Sequence, residues 1–64
     1  MWTRTNIQLP PEGVVVDTKT VDEGTNQARN EAKLMYKFNL WWTPDGQTYV
    51  YYQVTHWKLT TDWG

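Results

Sequence analysis

The sequence predicts an all-β protein: a small, twisted antiparallel sheet or partial barrel of three to five strands, with at most one short helical turn. Three observations carry that expectation. Val14-Val15-Val16 is a β-branched run, which suits a strand at least partly covered on both faces. Leu34, Tyr36, Phe38 and Leu40 recur at every second position, the period of a strand with one face inward. Thr43-Pro44-Asp45-Gly46-Gln47 has the chemistry of a type I turn followed by a left-handed glycine, a common hairpin connection.

Taken in order, Met1 to Gln8 is polar apart from Trp2 and Ile7. Leu9-Pro10-Pro11-Glu12-Gly13 is a turn, because two prolines and a glycine exclude helix and central strand. A first strand follows over residues 14–21. The polar segment 22–33 is expected to be a mobile loop with a single helical turn. Ala28, Ala32 and Tyr36 lie at helical spacing there, in conflict with the strand spacing that begins at Leu34. The central hairpin pairs residues 34–43 with 47–54, with Thr43 opposite Gln47. That register sets Trp42 against Thr48, Leu40 against Val50, Phe38 against Tyr52 and Tyr36 against Val54. One face then carries Leu34, Tyr36, Phe38, Leu40, Trp42, Val50, Tyr52 and Val54 as the core, and within it Phe38, Leu40, Val50 and Tyr52 are expected to be buried. The other face carries Met35, Lys37, Asn39, Trp41, Tyr49, Tyr51, Gln53 and Trp57. Residues 55–59 continue the strand or form a last short one, and residues 60–64 are a tail.

The chain of 64 residues has the length of a single domain. So short a chain buries only about 60% of its unfolded surface, and its core alone yields about 3–5 kcal/mol. With no Cys, it has neither a disulfide nor a thiolate metal site. Stability has to come from the five Trp, four Tyr and one Phe. No apolar run approaches the ~20 residues of a membrane span, and the N-terminus lacks the layout of a signal peptide. A cytoplasmic protein is the expectation. Net charge is −1, and the six Lys and Arg are scattered along the chain. That balance argues against nucleic acid, whose binding needs a basic patch to displace counterions.

Catalytic chemistry finds little to work with. His56 is the only histidine and the chain has no Ser and no Cys, so the usual histidine-activated nucleophiles are missing. One His without thiolates makes no standard zinc site. The plain expectation for His56 is a hydrogen bond to backbone or to a nearby Thr. Glu12, Asp17, Asp22, Glu23 and Glu31 fall in or near polar segments, where solvated acids belong. No catalytic residue, metal ligand or cofactor is assigned. The candidate binding residues are Trp41, Tyr49, Tyr51 and Trp57, four large aromatics opposite the core face. They form either an interface of the hot-spot type or a second core covered by Trp2 or by residues 22–33.

Three features occur together: Trp2 seven residues before Leu9, Leu9-Pro10-x-x-Gly13 leading into Val14-Val15-Val16, and Thr55-His56-Trp57 near the end. In these the chain resembles a family of short phage- and prophage-associated proteins, a domain of unknown function. The match spans nearly the whole chain through few residues. Thr3 and Thr5 depart from the aliphatics usual there, and the Pro-rich tail after Thr-His-Trp is absent. The resemblance implies a phage setting in a bacterial cytoplasm and no particular mechanism. The expected function is a non-enzymatic accessory protein that binds a host or defence protein through an aromatic sheet face. The alternatives are a single-stranded nucleic-acid binder that stacks bases on the aromatics, and a self-associating module that uses the face to pair with a second copy.

Overall fold

Five of the eight residues of β2 (Val15–Asp22) are Val or Thr, and its inward positions Val16, Thr18 and Thr20 are buried. The rest of the fold is arranged around this strand. The computed structural model describes residues 1–60; the expected tail lies outside the described residues beyond Thr60. The other strands are β1 (Thr3–Arg4), β3 (Gln27–Lys37), β4 (Leu40–Trp42) and β5 (His56–Leu59). They make one open sheet in the order β1-β5-β2-β3-β4, antiparallel throughout. The fold is all-β, as the sequence predicts. Among the described residues no helix is long and apolar enough to cross a membrane.

Cross-strand partners share a face, and alternate residues of a strand do too. The pairs Val16↔Leu34, Thr18↔Trp57 and Tyr36↔Trp41 therefore define one face, called inner here. The pairs Asp17↔Lys33, Asp17↔Lys58, Lys19↔His56 and Met35↔Trp42 define the other, called open. Val16, Leu34, Val54 and Trp57 are the buried apolar centre, with Met35 nearly closed off from the other side. The inner face is covered by two irregular segments. From one, Val54 and Thr55 contribute carbonyls that accept from Thr5, and Gln53 contributes one that accepts from the Thr20 hydroxyl. From the other, Gln8 accepts from Trp57 Nε1 at 2.8 Å, and the neighbouring Pro10 is buried.

Segment 22–33 is a tight turn and a strand rather than a loop with a helical turn. The Asp22 carbonyl accepts from Asn26 N–H at 2.7 Å, and Asn26 adopts a φ of 57°. β3 then pairs with β2 from Gln27 onward. A bulge lies between the pairs Thr20↔Arg29 and Thr18↔Ala32, where Asn30 also has a φ of 57°. Asparagine tolerates that conformation better than most residues. Ala28 and Ala32 straddle the bulge and pair with Val21 and Thr18, so the extra residue puts them on opposite faces and their helical spacing marks no common face.

The expected central hairpin is replaced by two tighter ones. Phe38 and Asn39, with φ of 52° and 63°, form a two-residue turn that pairs Lys37 with Leu40. Positive φ at both central positions is the geometry that matches strand twist. The turn at Pro44 does form, with Gly46 N–H donating to the Thr43 carbonyl at 2.8 Å and Gly46 at φ 71°. The register beyond it is slipped by one residue, with Thr43 N–H donating to Thr48 O and Trp42 bridging Tyr49. The cause is Asp45, whose carboxylate accepts from Gln47 N–H at 3.0 Å and from the Thr43 hydroxyl, keeping Gln47 inside the turn. Those donors also hold the Asp45 carboxyl below its ordinary 3.8, the Thr43 hydroxyl most.

None of the four residues expected to be buried is buried. Phe38 is 74% exposed and Leu40 38% exposed, while Val50 and Tyr52 are half-buried. The expected outcome in denaturant melts is that Leu34→Ala costs about 2–5 kcal/mol, whereas Phe38→Ala stays within about 0.5 kcal/mol of the parent. A Phe38→Ala loss as large as that of Leu34→Ala would contradict the face assignment.

Candidate functional site

The four aromatics singled out from the sequence do not form one surface. Trp57 is only 8% exposed, sits on the inner face and donates its indole N–H to Gln8, so it belongs to the core. Trp41 is half-buried on the inner face against Tyr36, edge to face at 5.1 Å between ring centroids. Tyr49 and Tyr51 remain accessible, Tyr51 at 90%. Their company is Trp42, which the expected register had placed in the core. Trp42 meets Tyr49 at 5.6 Å, and Tyr49 meets Tyr51 at 5.3 Å, both edge to face.

This ribbon of rings extends through a lysine. The Lys37 ammonium lies 5.6 Å from the Trp42 ring centre and 5.7 Å from that of Phe38. Trp42 is fixed by its indole N–H, which donates to the Lys37 carbonyl at 3.0 Å. The order is thus Phe38, Lys37, Trp42, Tyr49, Tyr51 along the β4 side of the open face. Gly46 packs tightly there, since a Cβ would stand 3.1 Å from Met35 Cε and push that side chain aside, and its φ of 71° already disfavours any other residue. Phe38 and Trp42 were missed in the sequence because Phe38-Asn39 was not recognised as a turn. The signal available was the asparagine alone, since a phenylalanine seldom accepts positive φ.

At the opposite end of the open face stands Trp2. The ammonium groups of Lys19 and Lys58 lie 4.2 and 5.1 Å from its ring centre. A shallow cavity of about 310 Å³ opens beside it, lined by Trp2, Asp17, Lys33, Lys58 and Glu31 among others. Asp17 and Lys33 form an ion pair at 2.9 Å. A smaller cavity of about 180 Å³ lies near Arg4, Glu23 and His56. The register therefore brings Arg4, Lys19, Lys33, Lys37 and Lys58 to the same face, although they are scattered in the sequence.

His56 hydrogen-bonds a threonine, as expected of it. Thr55 Oγ1 lies 2.8 Å from His56 Nδ1 and accepts from Val21 N–H at 2.8 Å. The same hydroxyl lies 3.4 Å from the Lys19 carbonyl, to which it donates, so Thr55 ties the histidine to the β2 backbone. Burial first, then the charges of Arg4 and Lys19, keep the imidazole below its ordinary 6.5. Among the described residues no group of three His, Cys, Asp or Glu is placed to hold a metal ion. Compared with family models, curated proteins and solved structures, the chain gives no match.

Because the folded histidine binds its proton less readily than the unfolded one, its contribution to stability is present above 6.5 and is lost as pH falls through the folded value. NMR titration of His56 should give a midpoint below 6.5, and Lys19→Gln should move it upward. A midpoint at or above the ordinary value would show that the neighbouring charges do not reach the ring.

Proposed function

We propose that the chain is a non-enzymatic accessory protein of a phage or prophage that binds a partner protein through the ribbon Phe38, Lys37, Trp42, Tyr49 and Tyr51. The setting rests on the residues Trp2, Leu9-Pro10-x-x-Gly13 and Thr55-His56-Trp57, and the partner class on the host or defence proteins such a setting offers. The observation that carries the binding reading is Phe38. It stands at φ 52° with 74% of its surface in water. A left-handed conformation costs an ordinary residue about 1–2 kcal/mol, and exposing a benzyl side chain recovers nothing by burial. The fold would be better served by Asn or Gly at this position, as in most two-residue turns. Strain and exposure combined at one aromatic point to a role outside folding.

The ribbon has the composition of an interface centre, in which aromatic rings dominate and lysine is sparse. Trp42, Tyr49 and Tyr51 are tied edge to face, and this ordering before contact lowers the entropy lost on association. Lys37 and the neighbouring polar backbone of the turn at Pro44 supply a rim.

Folding and binding make opposite forecasts for one substitution. Phe38→Asn should stabilise the protein by about 0.5–1 kcal/mol, recovering part of the turn strain. The same substitution, and Tyr51→Ala, should weaken partner capture by about 2 kcal/mol or more. The measurement is a melt of each variant beside a pull-down from bacterial lysate, with the captured protein identified and its affinity titrated. A stabilised Phe38→Asn that captures the same partner equally well would remove the ribbon from consideration.

A further inference from the structure

The ribbon occupies only the β4 side of the open face. The β1–β5–β2 side has different chemistry, and the exclusion of nucleic acid drawn from the sequence depended on the basic residues being dispersed. The sheet undoes that dispersal. Arg4 is paired with His56, His56 with Lys19, and Lys58 with Asp17, so three cations from three strands lie in adjoining rows about 4.8 Å apart between strands. Trp2 stands among them, with Lys19 and Lys58 over its ring.

We propose that this part of the open face binds single-stranded nucleic acid, with one base stacked on Trp2 and phosphates held by Arg4, Lys19 and Lys58. Aromatic rings interleaved with cations on an exposed sheet are the elements of such platforms. The lysines over Trp2 are no obstacle. Trp2, Lys19 and Lys58 are half-buried rather than enclosed, a base stacked on an indole is worth at least as much as a partly hydrated cation–π contact, and a lysine stem is long enough to swing from the ring to a phosphate beside it. The cavity of about 310 Å³ next to Trp2 gives the base a wall formed in part by Lys58 and Lys33. Charge sets the limit. Lys33 is paired with Asp17, Glu31 lines the same cavity and Glu23 lines the smaller one with Arg4, so among the described residues Arg4, Lys19 and Lys58 are the cations left on this side to meet phosphates. Binding through so few contacts is weak and depends on salt, which agrees with an overall net charge of −1.

The test is a titration of the whole chain with fluorescein-labelled oligo(dT) and oligo(U) of about ten nucleotides, within the usual site size, over a range of salt concentrations. Three phosphate contacts predict a log–log slope of roughly −2, from about −0.7 for each contact on a single strand. Lys58→Gln should make the slope shallower by about 0.7. Trp2→Ala should weaken binding about fivefold or more without changing the slope, since it removes stacking and no charge. Glu31→Gln should tighten binding. Polyphosphate, which has charge and no bases, should bind more weakly than the oligonucleotides and ignore Trp2→Ala. The proposal is overturned if no oligonucleotide binds at low salt. It is also overturned if polyphosphate binds as well as they do, or if binding survives both Trp2→Ala and Lys58→Gln but is lost in Tyr51→Ala. The Phe38→Asn and Tyr51→Ala variants leave this site intact, so its outcome is independent of the ribbon's.

Discussion

The structure depends on how one stretch of irregular backbone is satisfied as it crosses the inner face. Between the bridge at Tyr49 and β5 the chain has no ladder, yet it passes over the buried side of β2. Buried carbonyls without partners cost about 1–3 kcal/mol each, so such a crossing is stable only if something donates to them. Threonine does so repeatedly. The Thr20 hydroxyl donates to Gln53 O and that of Thr5 to Val54 O, while Thr5 N–H donates to Thr55 O. Thr55 completes the junction by accepting from Val21 N–H and donating its own N–H to Lys19 O. The abundance of threonine thus has a use beyond strand propensity: it fastens a strandless segment to a sheet. This explains why Thr20 is buried at a position where Val would pack equally well, while the buried Thr18 donates instead to the Ala32 carbonyl of β3 beside the bulge.

The same logic accounts for the residues Trp2, Leu9-Pro10-x-x-Gly13 and Thr55-His56-Trp57. Pro10 is buried, and Gly13 adopts φ 80° and donates to the Tyr36 carbonyl at 3.0 Å. Trp57 reaches back to Gln8, and Thr55 makes the junction just described. Most of these residues close the two irregular segments over the core. Their spacing encodes how a short chain covers one sheet face, and it leaves the chemistry of the other face undetermined. Trp2 is the exception, because it lies on the open side with Lys19 and Lys58.

How far the sequence could be read follows from where its signals are local. The strand around Val16, the turn at Leu9-Pro10-Pro11-Glu12-Gly13, the turn at Pro44 and the last strand at Trp57 all rest on short-range chemistry, and all were legible. Facing was not. A two-residue turn puts Lys37 and Leu40 on the same face, so the parity of every side chain inverts at Phe38-Asn39. Reading an unbroken strand through that point placed Trp42 in the core and Trp41 outside, the reverse of the observed arrangement. A one-residue change of register is enough to exchange faces, and two occurred, one at Phe38-Asn39 and one where Asp45 retains Gln47. The signal missed at the first was weak because phenylalanine is a poor turn former. Strand β3 was hidden for a related reason: its exposed first half is polar, and pairing with β2 rather than its own propensity makes it a strand.

An open face on so small a protein has a physical cause. The connecting segments suffice to cover one side of the sheet, and they are spent on the side of Val16 and Leu34. The uncovered side has to remain compatible with water while it displays indole and phenol rings. Lysines meet that requirement, because the stem lies along apolar surface and the ammonium stays hydrated. Lys37 shields Phe38 and Trp42, and Lys19 and Lys58 shield Trp2. The lysines, Trp2 and Trp42 are half-buried and Phe38 is exposed, so each contact is worth about 1 kcal/mol and can be exchanged for a better one. A partner that covers the rings gains their area and frees the ammonium groups for acceptors of its own. The cations that keep the face soluble when free are the groups available to fix orientation when it is occupied, and this holds at both ends of the sheet.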